Sequence, residues 1–462
     1  MEKSLTRALA DKALAINFDA LPLDIVEIAR HRLLDWLGVT VAGAGEPLSV
    51  QLGSVLSAQG GGGRVSIPGT GMRVPGVNAA LMTGTASHAM DYDDVTFSVP
   101  GHASAPVLAA TFSLAEEIGA SGRQVLEAFV AGYETTCRVG VLMAPSHYAR
   151  GFHATATAGV FGATAACAHL LGLGIDTLSI AFGIAATRSA GLKASFGTSC
   201  KPTQSGNAAS TGLLAALLAQ AGFDGPAKVF EHRIGVPALL SSDFNADIAL
   251  GLPSPVHDFS EAPRIGSEAA AFHLAFNLFK YHASCYETHS AIECGSKIAA
   301  QLGENLVQIS SVRLRVNRHL NDICNIKSPV TGLEAKFSLR LNAAFGLAKA
   351  PTADPSLFSA EKALDPAFVA LRDKIDVELN DDVAIPVNTM PVRLADGRTL
   401  EATHDSSRPA TDLSAQGERL KSKFRALFQG ILGTERSQQV FSDVNALHEM
   451  SSIEPFMASL LV

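Results

Sequence analysis

The feature that most limits this chain is the spacing of its apolar residues, which keeps a helical period through the first half and then changes. From residue 5 to residue 221 the segments 5–19, 22–44, 77–88, 104–118, 122–142, 151–171, 178–190 and 208–221 read as helices. In the second of them Ile25, Ile28, Leu33, Leu34 and Leu37 recur close to every 3.6 residues. Ala158, Gly162 and Ala165 leave room for neighbouring helices to approach closely. A short extended piece follows the glycine run at 60–63, and nothing in this half predicts a β-sheet.

Near residue 270 the pattern switches. Residues 310–317 alternate polar and apolar as a half-buried strand does. The segments 390–394 and 398–403 flank Asp396-Gly397, which suits a hairpin turn needing φ > 0. Between them, 333–349 and 359–374 read as helices, and from Leu413 onward the chain is helical again. The expected class is mainly α: a helical first part over 1–266, a smaller α+β module over 267–404, and a helical part over 405–462 that packs back on the first.

Charge limits the partners. Lys and Arg number 36 against 44 Asp and Glu, a net charge of −8 with no dense basic run, which argues against nucleic acid. An anionic small molecule needs only a few local cations and stays open. No stretch reads as a membrane span, since the most apolar, 158–175, carries Thr164 and His169. Residues 1–7 lack the apolar core of a secretion signal. The six cysteines show neither a C-x-x-C pair nor zinc spacing, so buried free thiols and a cytoplasmic location are expected.

With only 17% charged residues, the run from Gly84 to His102 is exceptional: it holds His88, His102, Asp91, Asp93 and Asp94 in a loop ending at Pro100-Gly101. A polar, kinked loop set into an apolar helical body suits chemistry, and a solvated surface loop is the plain alternative. Asp91, His102, His153, Lys201 and Lys280 are each polar beside glycine or proline, or in a loop feeding a helix. His153 stands near a helix start, where the dipole would favour a neutral imidazole able to act as base. Lys201 precedes Pro202 and a helix start, a position suited to anions. Lys280 lies where the two modules join, a preferred place for small-molecule sites. His88 reads as structural. Asp93, Thr96, Ser284, Cys285 and Tyr286 are candidate substrate contacts, with Cys285 a packed thiol rather than a nucleophile. There is no G-x-S-x-G, H-E-x-x-H, phosphate loop or dinucleotide fingerprint. The set predicts acid–base work without metal or cofactor, on a molecule bearing its own anionic groups. A metal-dependent hydro-lyase using the same residues as ligands, and a non-catalytic helical interaction protein, are the competing readings.

His31-Arg-Leu-Leu-Asp-Trp-Leu-Gly38, His88-Ala-Met-Asp-Tyr-Asp-Asp94, Gly101-His102, Gly151-Phe-His153, Lys201-Pro202 through Gly206-Asn-Ala-Ala209, and Glu334-Ala-Lys-Phe-Ser338 occur in this order across nearly the whole chain. As a set they resemble the MmgE/PrpD family, whose activities include dehydration of 2-methylcitrate, decarboxylation of cis-aconitate and epimerisation of iminodisuccinate. The resemblance implies a large all-helical domain built from both chain ends, a smaller α+β lid domain, a homodimer, and cofactor-independent catalysis between the domains. By motif, Asp91, His102, His153 and Lys201 match active-site positions of the decarboxylase branch, and Lys280 lies in the matching cleft segment. Two departures stand out: that branch has a histidine about where Cys285 stands, and an Asp-to-His loop one residue shorter. Ser284-Cys-Tyr286 instead resembles the epimerase branch. The implied function is a lyase, dehydratase or decarboxylase, that moves a proton at a carbon next to a carboxylate of a small di- or tricarboxylate. An epimerase of an amino-dicarboxylate is the alternative.

Overall fold

The computed structural model describes residues 4–59, 62–96, 98–251, 268–303 and 306–462. The protein is mainly α with a smaller α+β region. It divides into two compact units, one of residues up to 279 together with 410–462, the other of residues 280–409. Sequence reading put the divisions at 267 and 404; residue 267 lies outside the described residues, as does Phe97 of the polar loop.

The first unit is helical. Its main helices are Leu23–Gly43, Gly76–His88, Ser104–Ile118, Gly122–Met143, Gly159–Leu170, Ile175–Ala186, Cys200–Gln220 and Leu413–Asn445. Small residues let them pack backbone to backbone. A methyl group on Gly206 would lie 2.2 Å from the Leu81 carbonyl oxygen, so Gly76–His88 and Cys200–Gln220 meet at a distance only glycine permits. His88 stands about one turn beyond Gly84 at this contact, and Lys201 stands in the first turn of the other helix. The last long helix, broken at Gly433, packs on Leu23–Gly43. Among the described residues no helix is long and apolar enough to cross a membrane. All six cysteines are free, and all but Cys200 are buried.

Several expectations about elements change: the helix expected over 5–19 ends at Leu14, and the one expected over 151–171 is a single turn, Ala154–Thr157, followed by Gly159–Leu170. The helix expected from residue 208 begins at Cys200, because proline is tolerated in a first turn where its missing N–H has no partner to lose. The helices expected over 333–349 and 359–374 are each two short helices, Gly332–Lys336 with Leu339–Leu347 and Ala360–Ala363 with Pro366–Arg372. In each pair a fresh side-chain cap, Ser338 and Asp365, restarts the chain. The helical half also contains a two-stranded antiparallel ribbon, Val65–Ser66 with Arg73–Val74.

The second unit carries a four-stranded sheet in the order Ile375–Asn380, Ile309–Asn317, Val387–Leu394, Thr399–Asp405. The first pair is parallel and the other two are antiparallel. Val312, Leu314 and Val316 are buried while Arg313 between them is exposed, the alternation a one-sided sheet requires. Their apolar face packs with Cys294, Ile298, Ala343 and Leu347 from the helices His289–Leu302 and Leu339–Leu347. Gly397 turns the hairpin at φ +90°.

Candidate active site

His88 ends the Gly76–His88 helix and is fully buried. Three residues on, Asp91 stands at φ +52°, a left-handed conformation that aspartate tolerates better than most residues. The chain thereby turns so that Asp93 points back at His88, whose Nδ1 lies 3.0 and 3.1 Å from the two carboxylate oxygens. His102 closes on the same carboxylate with Nδ1 at 3.1 Å, and at 2.9 Å from the carbonyl oxygen of Asp94. A carbonyl only accepts, so Nδ1 of His102 carries a proton. Its Nε2 lies 3.5 Å from Asp91 Oδ1, which also accepts from Lys201 Nζ at 2.7 Å. The His88 ring is 4.6 Å from that of His102 and 5.8 Å from that of His153, so the three imidazoles form one group.

Close backbone approach holds the group together. The His102 amide donates to Thr155 Oγ1 at 3.1 Å, and a Cβ on Gly101 would lie 2.7 Å from that oxygen. His153, two residues before Thr155, donates its amide to the Gly191 carbonyl, and its Nδ1 is 3.1 Å from Gln204 Oε1. Its ring meets the edge of Phe196, over which the Lys201 ammonium also lies.

Burial and neighbouring charge set the protonation of these groups. Burial, with the charges of Lys201 and His102, pushes His88 down to about 4 against the pull of Asp93. His153 is pushed down to about 3 by burial first, then by His88, Lys201 and His102. The helix that follows it, Ala154–Thr157, is a single turn, so desolvation and not the dipole expected from sequence keeps this imidazole neutral. Burial raises the Asp93 carboxyl, but the two imidazoles and their hydrogen bonds outweigh it and hold it well below the usual carboxylate range.

The ligand atoms of His88, Asp91, Asp93 and His102 lie within 4.8 Å of one another, close enough for a single metal ion. In the arrangement described, both Asp93 oxygens face imidazole Nδ1 atoms and Asp91 holds an ammonium. The cluster bears a cation, a neutral imidazole and a second imidazole flanked by oxygen acceptors, which suits proton transfer on an anion.

Residues 7–249 match the MmgE/PrpD N-terminal domain, and residues 282–447 match the MmgE/PrpD C-terminal domain. The chain belongs to the MmgE/PrpD family. It is 27% identical to the cis-aconitate decarboxylase-like protein oryM of Aspergillus oryzae, over 99% of this chain and 97% of that one. Cis-aconitate decarboxylase of Aspergillus terreus is 23% identical over 99% and 96% of the two chains, and that of Mus musculus 25% identical over 97% and 92%.

Of the residues singled out from sequence, this MmgE/PrpD chain brings Asp91, Asp93, His102, His153 and Lys201 into one cluster. Thr96 is spent on the loop itself: its backbone bridges to Gly101 and its hydroxyl accepts from the Ser98 amide at 3.2 Å. Lys280, Ser284, Cys285 and Tyr286 belong to the second unit. Lys280 is buried there, Ser284 shares a hydrogen bond with Thr288 at 2.8 Å, and the Tyr286 hydroxyl donates to the Ser406 carbonyl at 2.6 Å. A hydrogen bond with Cys324, burial and Glu287 all push the Cys285 thiol up, so it is not poised as a nucleophile.

Sequence reasoning missed the residues that hold the MmgE/PrpD cluster from behind. His88, read as structural, bridges the other two imidazoles. Arg32, fully buried, pairs with Asp94, which also accepts from Ser104 Oγ at 2.5 Å. Lys423 pairs with Asp35 at 2.5 Å and donates to the carbonyl of Tyr92, between Asp91 and Asp93, at 2.7 Å. A signal existed: Lys423 falls in helical phase with Leu420, Phe424 and Leu427, a core-facing position where lysine is out of place.

Proposed function

We propose that this protein is a lyase that decarboxylates a small unsaturated tricarboxylate of the cis-aconitate kind, with no metal or cofactor. The observation that carries the reading is the joint placement of Lys201, Asp91, His102 and His153, with a neutral imidazole beside an ammonium. Support also comes from relatives named cis-aconitate decarboxylase that span nearly the whole chain.

In such a reaction the bond to the departing carboxylate breaks and its electron pair forms a new carbon–carbon double bond. The former double-bond pair moves to the carbon beside a remaining carboxylate, and that carbon takes up one proton. Negative charge grows on the remaining carboxylate, where a preorganised ammonium such as Lys201 stabilises it. His102, with acceptors at both nitrogens, is the proton donor, and Asp91 orients it. His153, held neutral by burial, is the acceptor when a substrate carbon must first lose a proton, as dehydration requires.

The test is incubation with cis-aconitate, 2-methylcitrate and amino-dicarboxylates in deuterated water, followed by NMR and carbon dioxide release. A five-carbon dicarboxylate bearing one solvent deuteron, formed with carbon dioxide, is the expected result. An alkene without carbon loss would make the enzyme a dehydratase, and deuterium in recovered substrate would make it an epimerase. No turnover of any of these compounds would overturn the lyase reading.

A further inference from the structure

His153 has two nitrogens, and its use as a proton acceptor depends on which of them carries the proton. The neighbour of Nδ1 is the Gln204 side chain, whose Oε1 lies 3.1 Å away. An amide can present either its oxygen or its nitrogen, so the assignment turns on what fixes the amide. The backbone of Leu192 fixes it at two points: the Leu192 N–H donates to Gln204 Oε1 at 3.0 Å, and the Leu192 carbonyl accepts from Gln204 Nε2 at 3.1 Å. Gln204 Nε2 also donates to Ser195 Oγ. Rotating the amide would set N–H against N–H and oxygen against oxygen at Leu192, so the oxygen must face His153.

The segment that supplies this clamp is itself held against the histidine. The His153 amide donates to the Gly191 carbonyl at 3.0 Å, the Lys193 amide donates to the Gly151 carbonyl at 2.8 Å, and Phe152 bridges Leu192. Gly191 leaves the necessary room, since a Cβ there would lie 3.0 Å from both Gln204 Oε1 and the His153 carbonyl oxygen. Gln204 also sits three residues beyond Lys201 on the Cys200–Gln220 helix, so both project from about the same face of it.

We propose that Gln204 is a positioning residue that holds His153 in the Nδ1–H tautomer and so leaves Nε2 as the proton-accepting nitrogen. The inference rests on the reading of His153 as a proton acceptor, but the tautomer can be observed without any substrate. In the full-length protein with 15N-labelled histidine, His153 is assigned by its loss in His153→Gln. Wild type should show a protonated Nδ1 and an unprotonated Nε2. Gln204→Met should release the clamp and give a mixture of both tautomers. Gln204→Glu, which keeps an oxygen acceptor at Nδ1 although it gives up the bond to the Leu192 carbonyl, should keep Nδ1 protonated. On a substrate whose carbon must first lose a proton to His153, Gln204→Met should lower kcat by about 10–100-fold, the size of loss found when the outer partner of a metal-bound histidine is removed. KM should change little, and Gln204→Glu should recover most of the rate. Wild-type His153 protonated on Nε2, or Gln204→Met with unchanged tautomer and unchanged kcat, would overturn the proposal. A tautomer change in a protein that turns over no carboxylate would leave the clamp standing and sink the proposed function instead.

Discussion

Lys423→Met should destabilise the first unit by about 3–5 kcal/mol, the usual effect of removing one member of a buried ion pair. The Lys423 and Asp35 side chains are each 1% exposed and 2.5 Å apart, with the ammonium also 3.9 Å from the Tyr92 ring centroid. Methionine keeps the length and apolar stem of lysine, so packing changes little. What disappears is the counter-charge of Asp35 and the donor to the Tyr92 carbonyl. Burial already pushes the Asp35 carboxyl up against the pull of Lys423. Without the ammonium it takes up a proton in the folded state, so the penalty is largest above neutral pH and shrinks as pH falls. The pairwise control is Asp35→Leu with Lys423→Met, which removes both charges and should recover most of the loss. Urea unfolding followed by circular dichroism reads the change as a shift in midpoint at constant slope. A single variant within about 1 kcal/mol of wild type, or a double variant no more stable than the single, would refute the reasoning from the buried pair. Because Tyr92 lies between Asp91 and Asp93, the single variant should also lose activity while still folded.

Three further outcomes are expected. Since His88 and His153 are pushed down to about 4 and about 3, the unfolded chain binds more protons than the fold below about pH 6.5. Stability present above that pH should fall as pH drops toward 4, by about 3 kcal/mol for His88 alone; melting curves of His88→Asn with the wild-type slope would remove His88 as the cause. Gly206→Ala should cost about 1–3 kcal/mol through its clash with the Leu81 carbonyl and lower activity by parting the helices that carry His88 and Lys201; a fully stable, fully active variant would show that contact to be slack. Exhaustive dialysis against a chelator should leave activity unchanged, and activity lost on dialysis but restored by a divalent ion would assign the His88–Asp91–Asp93–His102 group to a metal.

The helices and the hairpin were legible in the sequence because their signals are local: apolar period, small residues, and a turn pair at Asp396-Gly397. Cys200–Gln220 was read eight residues short because Pro202 looks like a stop until it is placed in a first turn. Asp91, His102, His153 and Lys201 stood out as polar residues beside glycine or proline. Their bracing did not, because it joins residues far apart: Lys423 and Tyr92 are separated by 331 positions, and Arg32 and Asp94 by 62. The low pKa of His153 was expected, but its main cause, desolvation, depends on packing that no local pattern records.

The central claim is that His102 delivers the proton to the substrate carbon, and steady-state turnover of His102→Gln tests it most directly. The replacement should lower kcat/KM by about 10²–10⁴-fold while the melting curve stays close to wild type. A loss below about tenfold would contradict the account, because a general acid contributes more than that to rate.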